Sequence, residues 1–229
     1  MKKVIADGRI SEKCERTLAS LGYRAIKLPP FPVLPAPVAS HPDMLLFLYG
    51  DRLICHKDYY AIAKTELEQT GKEITLTDEP ICGVYPHDIL FNAALIGDRI
   101  IGNMKYVSEK IGALPLNAIN VKQGYAKCSC CTVSDDALIC SDPSIEAAAA
   151  RSGVDVKRVP PGHISLPGYD TGFIGGASGM TEDFVAFLGD IDRHPAASEI
   201  KTFCKKHNKE AVSLSDEELF DGGSLFFIE

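Results

Sequence analysis

Short apolar runs recur along the chain, each introduced by an aromatic or small residue and a brief polar stretch. The pattern occurs in SHPDMLLFLYG (40–50), VYPHDILFNAALIG (84–97), GYAKCSCCTVS (124–134), GYDTGFIGGASG (168–179) and LFDGGSLFFIE (219–229). The aromatic residues at 85, 125, 169 and 220 are 40, 44 and 51 residues apart. A loose period of this length predicts a repeated supersecondary unit, because each copy needs its neighbours to bury its apolar face.

A second apolar motif follows each of the first four segments after a turn. The copies are DRLICHKDYY (51–60), DRIIGNMKY (98–106), ALICSDPSI (137–145) and DFVAFLGDI (183–191). Each is rich in β-branched residues and leads into Asp, Asn or Lys, which predicts a strand followed by a helix. Glycines suited to helix C-termini stand at 22, 71 and 153. Third strands are predicted at KEITLTD (72–78), VDVKRVP (154–160) and KEAVSLS (209–215), so the unit is strand, strand, helix, strand.

The fifth unit is divided between the two ends of the chain. Residues 2–29 have the second strand, the helix and the third strand, but no first strand precedes them. The segment LFDGGSLFFIE at 219–229 supplies the missing strand. Joining the two ends would remove the unpaired edges of an open array, so the repeats are predicted to close into a ring. An ordinary doubly wound α/β sheet is the alternative, since its strands also alternate with helices.

Composition and charge limit the class of protein. Of the 229 residues, 45% are hydrophobic and 24% are charged, which is typical of a globular protein, and we expect one domain over residues 1–229. No apolar run approaches the roughly 18 residues that span a bilayer. Asp7 and Arg9 interrupt the region where a signal peptide would be apolar, so we expect a cytoplasmic protein without a membrane partner.

The formal net charge is −7 and no basic run offsets it, so no nucleic-acid partner is expected. Eight cysteines are too sparse for a disulfide-stapled scaffold, and free thiols are expected. Nothing in the sequence indicates an oligomeric state.

Five strand-strand-helix-strand units in a ring closed by both termini resemble the pentein superfamily. This is the five-bladed α/β propeller of amidinotransferases, arginine and agmatine deiminases and dimethylarginine hydrolases. The resemblance covers essentially all 229 residues and rests on the module pattern rather than on a catalytic signature. It implies a pentein-type five-bladed α/β propeller in which the N- and C-terminal strands pair.

In such a ring the first strands line the axis, and their starting ends converge on one pocket. The polar residues near those ends are His41, Asp43, His87, Asp88, Lys127, Cys128, Asp170, Thr171 and Asp221. Carboxylates, histidines and a thiol from different modules would then be neighbours, which suits acid/base and nucleophilic chemistry.

The resemblance also implies a reaction. Enzymes of the superfamily attack the central carbon of a guanidinium or amidine with a cysteine thiolate, use a histidine as general acid and base, and bind the cation between carboxylates. The catalytic candidates are Cys128, His41 and His87. The substrate-binding candidates are Asp43, Asp88, Lys127, Asp170, Asp221 and His163. We expect a small cationic ligand, no cofactor and no metal.

One departure from the superfamily concerns the nucleophile, which in those enzymes is a cysteine of the last strand. Here that segment is DGGSLFFIE, and Phe226 or Phe227 occupies the position of the usual cysteine. A phenylalanine at this position would even plug the pocket. Cys128 is the best remaining thiol, because it is predicted to start a first strand beside Lys127, whose charge would stabilise a thiolate. The alternative is that Cys128 is a small buried hydrophobic residue.

Three further alternatives remain open. Cys128, Cys130 and Cys131 could contribute to a metal site, although no paired CxxC spacing is present. The glycines of 168–180 fit either a close approach of the backbone around the axis or a small ligand pressed against that backbone. Finally, the chain could be a non-catalytic propeller that binds a protein or the ribosome, in which case a flat apolar face should replace a deep polar pocket.

Overall fold

The computed structural model describes residues 1–228, and in this range the chain forms five three-stranded sheets. The first strands are β3 (Leu46–Tyr49), β6 (Ala94–Ile96), β9 (Cys131–Ser134), β12 (Ser178–Met180) and β15 (Phe226–Ile228). The central strands are β1 (Lys2–Asp7), β4 (Arg52–His56), β7 (Arg99–Gly102), β10 (Ala137–Cys140) and β13 (Phe184–Phe187). The third strands are β2 (Tyr23–Leu28), β5 (Glu73–Thr77), β8 (Asn117–Asn120), β11 (Asp155–Arg158) and β14 (Glu210–Ser213).

Helices connect the central strands to the third strands or precede the first strands. They are α1 (Glu12–Ser20), α2 (Pro42–Leu45), α3 (Lys57–Glu68), α4 (Glu109–Gly112), α5 (Ala126–Ser129), α6 (Pro143–Arg151) and α7 (Ala197–Lys206). Their ends follow local chemistry. The side chain of Asp142 accepts hydrogen bonds from the backbone N–H groups of Ser144 and Ile145 at the start of α6. Gly153 adopts a φ of 80° just after that helix, where a residue with a Cβ would be strained.

Every sheet has the same order and the same directions. In the β3–β4–β5 sheet, Leu46 pairs with Cys55 across the antiparallel hairpin, and Cys55 pairs with Leu76 in the parallel neighbour. The hairpin needs only a tight turn, whereas the parallel pair needs the crossover through α3. The predicted strand-strand-helix-strand unit is therefore confirmed.

The fifth sheet is built from the two ends of the chain. β15 pairs antiparallel to β1, with Val4 opposite Phe227, and β1 pairs parallel to β2, with Val4 opposite Ala25. The predicted closure of the ring through its terminal strands is confirmed, and the doubly wound alternative is wrong.

The first strands line the centre of the ring. β6 lies beside β9, β9 beside β12, and β12 beside β15. Apolar side chains fill the layers between these strands and the outer helices in five clusters of buried residues. Burial of this apolar area is the main source of stability for the fold.

Two local predictions need correction. The segment 124–134 was expected to be strand from its beginning, but Cys128 lies in the short helix α5 and the strand starts only at Cys131. Similarly, Asp43 lies in α2 before β3. None of the helices described for residues 1–228 is long and apolar enough to cross a bilayer.

Candidate active site

The candidate site is built from side chains that immediately precede the first strands. Asp43 stands three residues before β3, and Cys128 stands three residues before β9. Asn92 and Ser224 each stand two residues before their strands, β6 and β15. All four are buried. Equivalent positions in different modules therefore converge at one end of the axis, as the ring geometry predicted.

A cavity of about 280 Å³ opens above these residues. His41, Met44, Cys128 and Asp221 lie at its base, and its walls are mainly apolar and aromatic, formed by Val38, Tyr125, Leu166, Tyr169, Phe173 and Thr171. Asp170, an exposed residue, lines the rim. A cavity of this size and composition suits a small organic ligand that is oriented by a few polar groups.

His41 lies between two carboxylates. Its Nε2 is 3.7 Å from Oδ2 of Asp7, and its Nδ1 is 3.8 Å from Oδ1 of Asp221. Neither ring nitrogen makes a hydrogen bond within residues 1–228. Burial lowers the pKa of His41 below its usual value, although the charges of Asp221 and Asp7 oppose this effect. The ring is therefore neutral near pH 7 and free to accept or pass on a proton.

Asp7 is held in place by Arg9, whose Nε donates to Oδ1 at 2.9 Å and whose Nη2 donates to Oδ2 at 2.6 Å. This bidentate contact fixes the carboxylate that faces His41. The contact also raises the pKa of Arg9, so the guanidinium keeps its charge.

Asp221 receives backbone hydrogen bonds on both oxygens, from the N–H of Phe173 at 2.8 Å and from that of Gly223 at 3.0 Å. Burial nevertheless raises its pKa to about 6. The backbone approaches this carboxylate so closely that a Cβ added at Gly176 would lie 2.0 Å from Oδ1. The glycines of this loop thus provide the close approach around the axis that the sequence suggested.

Asn92 orients the thiol of Cys128. Its Oδ1 accepts the backbone N–H of Lys127 at 2.8 Å, and since an N–H can only donate, this contact fixes which way the amide faces. Its Nδ2 is therefore directed at Sγ of Cys128, 3.0 Å away, and at Sδ of Met44, 3.2 Å away. A donor aimed at sulfur favours the thiolate over the thiol.

Burial and the charges of Asp43 and Asp221 outweigh this donor, and the pKa of Cys128 is raised well above its usual value. The thiol is therefore protonated in the free site. Asp43 is within hydrogen-bonding reach of the thiol, and burial raises the pKa of this carboxyl as well. A nucleophilic Cys128 would need a positive charge that enters with the ligand.

Lys127 was expected to stabilise the thiolate of Cys128, but its ammonium group lies beside Ser224 and Asp43 instead. Its Nζ donates to Oγ of Ser224 at 2.9 Å, and that hydroxyl donates to Oδ2 of Asp43 at 2.8 Å. The positive charge of Lys127 lowers the pKa of Asp43, against the effect of burial. The ammonium therefore balances Asp43 instead of contacting the thiol.

The structure brings together five of the predicted site residues, His41, Asp43, Lys127, Cys128 and Asp221. Asp170 lies at the rim of the same cavity. Asp88 is buried behind the wall, where its Oδ2 accepts the hydroxyl of Tyr125 at 2.7 Å.

The two remaining candidates lie outside the cavity. His87 is exposed and its ring packs edge-on against Tyr106, with centroids 6.0 Å apart. His163 is exposed on a neighbouring depression that is also lined by Asp170 and Thr171.

Sequence reasoning missed Asp7, Asn92 and Ser224. Asn92 and Ser224 could have been found by their distance from the strand that follows. They stand two residues before it, and Asp43 and Cys128 stand three residues before theirs. The signal for Asp7 was an acid at the end of the apolar strand KKVIAD, a position that the ring turns toward the axis.

The three clustered cysteines diverge. Cys128 lines the cavity, whereas Cys130 and Cys131 pack in two different apolar clusters. Among residues 1–228, no group of three potential ligands from His, Cys, Asp and Glu has a geometry that could hold a metal ion. Phe226 and Phe227 do not line the cavity either, so neither residue plugs it.

Solved structures with the same architecture include a DDAH, an amidinotransferase and an agmatine deiminase. DDAH from Pseudomonas aeruginosa, determined as a cysteine-to-serine variant with citrulline, is 10% identical, with a TM-score of 0.56 over 94% of this chain and 92% of that chain. SxtG, an amidinotransferase of saxitoxin biosynthesis from Microseira wollei, is 10% identical, with a TM-score of 0.57 over 94% and 88% of the two chains. Agmatine deiminase from C. jejuni is 8% identical, with a TM-score of 0.52 over 84% and 70%.

Among curated proteins, no sequence matches this chain. A family profile, described as a family of unknown function (DUF6873), matches residues 5–226. Since identities near one tenth establish the fold alone, the structural likeness shows a shared architecture and not a shared activity. The chain thus belongs to the DUF6873 family and has the five-bladed α/β propeller fold of the pentein superfamily.

Proposed function

We propose that this chain binds the guanidinium or amidinium group of a small cationic molecule in the axial cavity and cleaves a C–N bond of that group, with Cys128 as the nucleophile. The observation that carries the proposal is the convergence of Cys128, His41 and Asp221 on the base of one cavity. A thiol, a neutral imidazole and a carboxylate are the groups that such a reaction requires.

The charges beneath the cavity favour a cationic ligand. Three of the buried carboxylates, Asp7, Asp43 and Asp221, lie around the base of the cavity. Asp7 is paired with Arg9, and Asp43 is linked through Ser224 to Lys127. Asp221 faces the cavity, and within residues 1–228 its one ion-pair contact is with His41, whose lowered pKa leaves the ring neutral. A ligand cation would supply the missing partner, and a planar guanidinium matches a carboxylate in shape as well as charge.

A bound cation would also activate the thiol. The pKa of Cys128 is raised by burial and by two nearby acids, so a positive charge placed between Asp221 and the sulfur would lower it again. Asn92 donates to the resulting thiolate. The bound cation would thus raise the thiolate fraction of Cys128, whereas in the free site the raised pKa of the thiol makes its alkylation slow.

The proposed step is balanced within the site. The sulfur of Cys128 forms a bond to the central carbon, and its proton passes to His41, which is neutral in the free site. When the C–N bond breaks, His41 returns a proton to the leaving amine, so the number of protons in the site is unchanged. Water then attacks the thio-linked carbon, or a second amine does so in an amidino transfer. His41 accepts a proton from the attacking group, the C–S bond breaks, and the proton returns to the sulfur of Cys128.

Replacing Cys128 by Ser tests the proposal. Turnover would be followed with a panel of guanidines and amidines as release of ammonia or amine, and the covalent adduct would be sought on the peptide that contains residue 128 by mass spectrometry. We expect turnover and an adduct in the wild-type chain and the loss of both in Cys128→Ser, with ligand binding retained. Cys82→Ser is the matched control, because that thiol is exposed and does not line the cavity.

Unchanged turnover in Cys128→Ser would exclude this nucleophile. Absence of binding by every guanidine and amidine would exclude the proposed ligand class. That second result would favour the alternative, a non-catalytic propeller that acts through a protein partner. The cavity with charged residues at its base argues against this alternative.

A further inference from the structure

We infer that the cavity selects guanidinium or amidinium compounds whose tail carries no carboxylate, and therefore discriminates against α-amino acids such as arginine. The inference rests on the proposed function, because it concerns the part of the same ligand that extends from the base to the rim. It follows from the charges on the cavity wall and from the hydrogen bonds that its donors already make.

The charged residues that line the cavity are acidic. Asp221 lies at the base and Asp170 at the rim, and the lining residues within 1–228 include no lysine and no arginine. A ligand carboxylate would therefore meet Asp170 and find no cation on the wall. Two like charges in a partly desolvated cavity repel, and such repulsion is a common basis of specificity.

The nearest cations are already committed to other groups. Lys127 is bonded to Ser224 beneath the cavity, and Arg9 is bonded to Asp7 behind His41. Arg193 lines the neighbouring depression and not this cavity. To pair with a ligand carboxylate, Lys127 or Arg9 would have to leave a buried acid unpaired, which is costly.

Two of the three hydroxyl groups on the wall are committed in the same way, and the third, that of the half-exposed Tyr169, carries no charge to offset a carboxylate. The hydroxyl of Tyr125 donates to Asp88 at 2.7 Å. Oγ1 of Thr171 lies 3.2 Å from the backbone oxygens of Ile164 and of Gly172. Neither group is free to receive a carboxylate at the rim without breaking an existing bond.

The same wall favours an aliphatic tail or a second cation. The rings of Tyr125 and Phe173 lie with their centroids 6.3 Å apart, and Tyr169 is a half-exposed neighbour at the mouth. Aromatic faces attract ammonium groups, and Asp170 would pair with one at the rim. A guanidine that ends in an amine therefore fits the cavity at both ends.

Three matched ligands test this inference. Arginine, agmatine and n-butylguanidine share the guanidine and the tether, and differ in carrying an α-carboxylate with an amine, an amine alone, or neither group. Binding would be measured by calorimetry at pH 7.5 with the Cys128→Ser chain, so that no ligand is consumed. We expect agmatine and n-butylguanidine to bind about two- to fivefold more tightly than arginine, since the repulsion is between charges at an exposed rim and solvent screens it.

Asp170→Asn separates the role of the rim from general binding. We expect this variant to weaken agmatine binding by about 1.5- to fivefold, the range of an exposed ion pair, and to leave n-butylguanidine binding unchanged. Glu218→Gln is the matched control, because that exposed acid lines the neighbouring depression and not the cavity. The control should change neither affinity.

The outcomes distinguish this inference from the proposed function. If arginine binds as tightly as n-butylguanidine, the inference is overturned while the proposed ligand class stands. If Asp170→Asn weakens both carboxylate-free ligands equally, the rim assignment is overturned. If none of the three ligands binds, the proposed function itself fails.

Discussion

Two segments of the chain look alike in sequence and differ in the structure. His41-Pro42-Asp43 and His87-Asp88 both combine a histidine with an aspartate near the start of a module. His41 is only 1% exposed and lies between two carboxylates at the base of the cavity. His87 is exposed and packs against the ring of Tyr106.

The difference comes from the distance to the strand that follows. His41 stands five residues before Leu46, the first residue of β3, whereas His87 stands seven residues before Ala94, the first residue of β6. The longer connection carries His87 out to the surface and brings Asn92 to the axis instead. Residue type therefore identifies candidates, but the spacing to the strand determines which of them reaches the site.

The largest expected effect is on turnover after substitution of the two histidines. With any guanidine that proves to be a substrate, His41→Asn should lower kcat by about 100- to 10,000-fold, the usual contribution of a general acid or base. His87→Asn should leave kcat within about twofold, because its ring contacts neither the cavity nor the other site residues. Thermal melting of both variants would control for folding. Equal losses of kcat in the two variants would contradict the conclusion that His41 acts in the site and His87 does not.

A smaller effect is expected for Asn92, the residue that takes the axial place in the second segment. Asn92→Ala removes the donor to Sγ of Cys128, and a hydrogen bond to a charged group is worth about 1.5–3 kcal/mol. The pKa of the thiol should rise further, and the lost energy corresponds to alkylation of Cys128 that is slower by about 10- to 100-fold at a fixed pH.

The measurement is the pH profile of iodoacetamide labelling, resolved by mass spectrometry on the peptide that contains Cys128. Cys82, the exposed thiol, serves as the internal control and should be labelled at the same rate in both chains. An unshifted profile for Cys128 would show that Asn92 has only a packing role.

The smallest effect is a pH dependence of ligand binding. The pKa of Asp221 is raised to about 6 in the free chain, and a bound cation favours its ionised form. Binding below this pH must therefore release a proton, and the affinity should fall by up to about tenfold per pH unit below 6 and be level above about 7. Protonation of His41 at still lower pH would act in the same direction, because it adds a positive charge beside the ligand.

Calorimetry from pH 5 to pH 8 in buffers of matched ionic strength checks this expectation. Asp221→Asn should bind the ligand weakly with a nearly level profile. A wild-type affinity that rises as the pH falls would place the cation away from Asp221.

Much of the architecture was readable from the sequence. Apolar runs at a loose period, glycines at helix ends and the split fifth unit indicated the ring, and the pairing of Val4 with Phe227 confirms it. These signals are local, because strands and helices impose their own spacing on apolar residues. The start of β9 was misplaced, since a helical turn such as Ala126–Ser129 is too short to leave a periodic pattern.

By itself, the sequence determined the five modules, the order in which they close and a short set of polar residues at their beginnings. Only the tertiary structure decided which of these residues meet. It paired Lys127 with Ser224 rather than with the thiol, placed Asp7 beside His41, and left Asp221 facing the cavity. Such contacts join residues from different modules, and their energies depend on distance, burial and the neighbouring charges, none of which is encoded in local spacing.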